Sequence, residues 1–99
     1  MLTKALLVRL EALPGKEEEL SEFLITARAV VMEEPGTIAW FAVRFGPSTF
    51  GVYDAFPDDE ARDAHLAGGV GQALGANTGV LFSQPQIERI DILADKVPA

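Results

Sequence analysis

His65 is the only histidine in the chain, and imidazole is the side chain best suited to moving a proton near neutral pH. It stands in the segment "PDDEARDAHLAGG". Upstream, in "TFGVYDAF", Asp54 interrupts an otherwise apolar run and by alternation shares a face with Phe50, Val52 and Phe56. Together the two side chains are enough for abstraction of a phenolic or α-carbon proton, with His65 near its normal pKa as general base and Asp54 orienting it or polarising a substrate. Each also has a purely structural reading. His65 shares a helix stripe with Ala61 and would then be a packed histidine fixing helix to sheet; Asp54 would pair with Arg44 or Arg62, or cap backbone at the sheet edge. Trp40, Phe41, Phe50 and Tyr53 at strand spacing are either plain core or the lining of a cavity for a flat aromatic molecule. Tyr53 has the opposite parity to Asp54 and falls on the other sheet face. Trp40, Phe50 and Phe56 are the candidate pocket residues.

Other chemistries find less support. The absence of cysteine removes thiolate nucleophiles, disulfides and thiolate metal sites. The remaining carboxylates lack the spacing of a calcium loop, so no metal is expected. "GGVGQALG" misses the final spacing of a dinucleotide fingerprint and follows a helix instead of a strand, so it places no helix N-terminus on a pyrophosphate. A net charge of -7 with 8 scattered Lys and Arg residues argues against nucleic acid. The start "MLTKALLVRLEALPG" is broken by Arg9 and Glu11 and has no small-residue cleavage pattern, and no apolar run approaches the roughly 18 residues of a membrane span. The expected compartment is the cytoplasm, with no membrane partner.

The elements that position these residues follow from periodicity. Residues 3–13 alternate, with Leu6, Val8, Leu10 and Ala12 on one face, as in a strand that ends at Pro14 and Gly15. From Lys16, Leu20, Phe23, Leu24, Ala27 and Val31 recur at helical spacing behind a solvated Glu17, Glu18, Glu19 start, and Pro35 and Gly36 stop the helix. Residues 37–56 form a hairpin about Gly46, Pro47 and Ser48. Asp58 is the expected N-cap of a second helix, whose continuation the glycines at 68, 69, 71 and 75 should break or fray. Residues 86–93 form a last strand, and 96–99 a loose tail.

The order β-α-β-β-α-β is that of a ferredoxin-like α+β fold in a single domain over residues 1–99: a four-stranded antiparallel sheet with helices on one face. In the hairpin, however, Ile38, Trp40 and Ala42 occupy one face while Ala39, Phe41, Val43 and Phe45 occupy the other, so both faces are apolar. Helices cover one. A second copy packed sheet to sheet would cover the other, which implies a homodimer.

The run "EEPGTIAWFAVRFGPSTFGVYDAFPDDEARDAHLAGG" resembles the antibiotic biosynthesis monooxygenase family, which has a Pro-Gly after the first helix, an acid-any-aromatic pattern in the sheet and an Ala-His pair in the next helix. Pro35, Gly36, Asp54, Phe56, Ala64 and His65 take those places. The resemblance implies a dimeric α+β barrel with a pocket in each subunit between sheet and helices. It also implies a cofactor-independent monooxygenase acting with molecular oxygen on a small aromatic phenol or quinol. Asp54 and Phe56 stand where Glu and Trp are common in the family. Its haem-degrading branch carries an Asn where Val8 stands and an iron-ligating His where Gly75 aligns, so no haem is expected. The alternatives are a non-catalytic ligand-binding or accessory barrel protein and a cofactor-free isomerase that uses His65 without oxygen.

Overall fold

The computed structural model describes residues 1–98, so the last residue of the expected tail, Ala99, lies outside the described residues. Its elements are β1 (Lys4–Glu11), α1 (Glu17–Val31), β2 (Ala39–Arg44), β3 (Thr49–Phe56), α2 (Asp59–Ala67), α3 (Gly69–Asn77) and β4 (Gln86–Asp91). The four strands form one sheet in the order β2-β3-β1-β4, every neighbouring pair antiparallel. This is the ferredoxin-like arrangement that the alternation and helix periodicity predict. Within one chain the sheet is open, with β2 and β4 as its edges, and does not close into a barrel.

One expectation changes in detail. The second helical segment is two helices, because Gly68 leaves the helical region at φ -81° and ψ -170°, capping α2 and opening α3. The continuation is not frayed. At Gly71 a Cβ would stand 2.0 Å from the carbonyl oxygen of Leu66, so only glycine lets α3 fold this closely against the end of α2.

Register sets the helix-facing side of the sheet. Leu6, Val8 and Leu10 of β1 lie opposite Asp54, Val52 and Phe50 of β3. The core forms where Val8, Leu10, Phe50 and Val52 meet Leu20 and Leu24 of α1, with Leu81 and Phe82 of the α3–β4 connection completing it. Burying each such large side chain contributes roughly 1.5–3 kcal/mol.

The other sheet face has no helix on it. There Phe41 pairs with Tyr53 and Val43 with Gly51. A Cβ on Gly51 would meet the Phe45 ring at 2.8 Å, so the ring lies directly over the strand. The Arg9 guanidinium in turn sits 4.7 Å from that ring's centroid. Phe41 and Phe45 remain 57% and 51% exposed. Among the described residues no helix is long and apolar enough to cross a membrane.

Candidate active site

Asp54 comes from the middle of the sheet. On β3 it lies opposite Trp40 of β2 and Leu6 of β1, facing the helices, and is only 1% exposed. His65 comes from α2, whose start is fixed by the Asp58 carboxylate accepting a hydrogen bond from the Ala61 amide at 2.9 Å, the N-cap expected from sequence. Arg62, one turn before His65, ties the helix to the sheet. Its Nη1 donates to the carbonyls of Ala5 and Ile90, and its Nη2 to Asp59. Neither Arg62 nor Arg44 pairs with Asp54. Arg44 lies over the Phe50 ring and reaches toward Glu18.

Asp54 faces His65 instead: Oδ2 stands 2.8 Å from Nε2. The contact is one of charge, since neither Asp54 carboxylate oxygen has a hydrogen bond of good geometry and Oδ1 has no partner at all. The other ring nitrogen, Nδ1, lies 2.5 Å from Oε1 of Glu34. Thr37 supports this second carboxylate, its hydroxyl donating to Glu34 Oε1 at 2.7 Å and lying 3.3 Å from Nδ1. Glu34 reaches the imidazole because the chain after α1 folds tightly onto α2: a Cβ on Gly36 would sit 3.0 Å from the Ala61 Cβ.

An imidazole held between two carboxylates is driven toward the doubly protonated, cationic form. Burial opposes that charge, but the Asp54 and Glu34 carboxylates outweigh it, and the His65 pKa is raised. Burial pushes the Asp54 carboxyl up as well, against the pull of the His65 charge. The sequence expectation of an ordinary imidazole with a free nitrogen for substrate therefore changes. Both nitrogens are engaged, and the unpaired basic atom of the pair is Asp54 Oδ1.

A cavity of about 230 Å³ adjoins the pair, between the β1–β3–β4 part of the sheet and the α2–α3 segment. Asp54 and His65 line it, with Leu6, Val8, Val70 and Leu74 as apolar wall and Thr78 and Gln84 as further polar groups. Of the aromatic residues singled out from sequence, none lines this space. Trp40 borders a separate cleft between α1 and β2, Phe50 a shallow groove beside Ile25, and Phe56 is fully buried against the imidazole. The missed residue is Glu34; the Pro35-Gly36 pair after it was the signal that the chain there turns onto another element. Among the described residues no group of His, Asp or Glu side chains is arranged to hold a metal ion.

No family model and no curated protein matches the chain. Solved structures do. The NE2512 protein of unknown function from Nitrosomonas europaea is 53% identical and superimposes with a TM-score of 0.98, covering 100% of this chain and 97% of that one. A Caulobacter crescentus protein described as a "putative antibiotic biosynthesis monooxygenase" is 24% identical with a TM-score of 0.77, over 93% of this chain and 91% of that one. A second Nitrosomonas europaea protein of the same description is 15% identical with a TM-score of 0.80, over 92% and 90%.

Proposed function

We propose that this chain, which belongs to the same family as the NE2512 protein and has the antibiotic biosynthesis monooxygenase fold, is a cofactor-independent monooxygenase for a small phenol or quinol. The observation that carries the reading is the buried Asp54–His65 pair in the wall of an otherwise apolar cavity. Asp54 Oδ1, buried without a hydrogen-bond donor, is the acceptor for a substrate proton. The His65 imidazolium fixes the carboxylate and offsets the negative charge that develops on the substrate oxygen. Apolar walls keep water from the anion while oxygen reacts.

The balance of the reaction needs no external reductant. The substrate loses two hydrogens and gains one oxygen atom, and the second oxygen atom leaves as water with both hydrogens. At interior-like packing the cavity accommodates about 170 Å³ of molecule, the scale of a one- or two-ring aromatic. The open sheet face, with Phe41, Tyr53 and Phe45, is covered by the same face of a second copy, giving a homodimer.

The test is oxygen uptake with a naphthoquinol and no added metal, flavin or nicotinamide, comparing wild type with Asp54→Asn, His65→Ala and His65→Gln. General acid–base catalysis is typically worth 10²- to 10⁴-fold, so each variant should lose about that much per folded molecule. Full activity per folded molecule in Asp54→Asn or His65→Ala sinks the assignment.

A further inference from the structure

We propose that Glu34 is the proton outlet of the Asp54–His65 pair, receiving at the outer ring nitrogen of His65 the proton that Asp54 takes up at the cavity and delivering it to solvent. The inference rests on the proposed proton abstraction and adds to it a route and a residue.

The geometry is that of a three-group chain crossing from the cavity to the surface. Asp54, 1% exposed, stands at the inner end, with Oδ2 2.8 Å from His65 Nε2. At the outer end Glu34 Oε1 stands 2.5 Å from Nδ1, and its side chain is 21% exposed. His65 borders both sides. It lines the 230 Å³ cavity with Asp54 and, on its other flank, a second and more open hollow of about 420 Å³ bordered by Glu34, Thr37, Ala61 and Gly68. Asp54 is absent from the outer hollow and Glu34 from the inner cavity.

A buried carboxyl that accepts a proton must release it before the next turnover, and Asp54, 1% exposed, meets solvent only by way of the cavity that substrate and product occupy. The ring can pass it on once Nδ1 has given its own proton to Glu34: turning over about Cβ–Cγ, the neutral imidazole presents its bare nitrogen to Asp54, takes up the carboxyl proton there and is again the imidazolium. No bond to carbon changes in this step, and the three groups return to their starting charges once Glu34 has released one proton to water. Thr37 holds Glu34 in place, and its hydroxyl, 3.3 Å from Nδ1, is a second partner on the outer side. The charged groups facing His65 are Asp54 from β3 and Glu34 from the connection between α1 and β2; Arg62, on its own helix, is turned to the carbonyls of Ala5 and Ile90 and to Asp59. A purely structural Glu34 would need neither solvent exposure nor contact with the nitrogen that points away from the cavity.

Two readouts test the outlet. The first needs no turnover: because the chain has one histidine, its imidazole resonances are unambiguous, and the exchange of its Nδ1 proton with water can be followed by NMR. In Glu34→Gln that exchange should slow at least ~10-fold, and the His65 titration midpoint should move down. The second is turnover of a naphthoquinol. Glu34→Gln should lower kcat with little change in KM, deepen the solvent deuterium isotope effect, and recover when a small carrier such as imidazole is added; Thr37→Val, which keeps the carboxylate, should lose less. If wild type shows no oxygen uptake, the functional assignment falls while the exchange measurement still decides the outlet. Unchanged Nδ1 exchange in a folded Glu34→Gln overturns the proposal, as does a loss of kcat that no carrier restores.

Discussion

The ring of His65 rests on that of Phe56, with centroids 5.3 Å apart and planes tilted by 47°. The imidazole is thus held by an aromatic surface as well as by a carboxylate at each nitrogen. Phe56→Leu should cost about 1–2 kcal/mol, because Phe56 is fully buried. Quinol oxidation should fall further than the folded fraction, since the ring loses its support. Calorimetry and oxygen uptake on the same sample separate the two effects; a loss that tracks the folded fraction alone removes the orienting role.

The raised pKa of His65 makes stability depend on pH with a definite sign. A group that binds its proton more tightly when folded contributes fully below its ordinary value, here 6.5, and loses that contribution as pH climbs through the folded value. Asp54, whose pKa burial also raises, acts in the same direction. The melting temperature should therefore decline from neutral to alkaline pH in wild type and decline less in His65→Gln. A wild-type melting temperature that rises over that range contradicts the arrangement.

Two glycines of α3 should respond oppositely to alanine. Gly75→Ala places a methyl where nothing lies within 4 Å, so helix propensity dominates and stability should rise by about 0.5–1 kcal/mol. Gly71→Ala drives a Cβ to 2.0 Å from the Leu66 carbonyl oxygen and should destabilise by more than that gain. Urea unfolding midpoints of the two variants check both signs.

The open face of the sheet yields an assembly test. Phe41→Glu would bury an unpaired carboxylate between two sheets at a cost of several kcal/mol. Sedimentation should find a dimer for wild type and a monomer or unfolded chain for the variant. A wild-type monomer at micromolar concentration removes the dimer.

Much of the frame was legible because its signals are local. The alternation of Leu6, Val8 and Leu10 sets β1, and Asp58 starts α2. The shared stripe of Ala61 and His65 correctly turns the imidazole toward the sheet. The cavity was not legible. Parity says that Trp40, Phe50 and Phe56 share the helix-facing side with Asp54, but not which part of that side is filled. α1 packs Leu20 and Leu24 over Phe50 and Val52, while the space is left under α2 and α3. Phe82, fully buried in an aperiodic connection, and Glu34, at the end of a helix pattern, gain their roles only from distant contacts.

Asp54 lies on an interior strand, hydrogen-bonded to β2 on one side and to β1 on the other. Much of what shapes the neighbouring space lies elsewhere: Gln84 and Pro85 precede the edge strand β4, and Ile87 stands on it half exposed. On the proposed function the two tasks, handling a proton and admitting a molecule, would thus be borne by different parts of the sheet. A lineage can remodel its edge and the approach to it, and so exchange one ligand for another, while the carboxylate and its imidazole partner stay where they are.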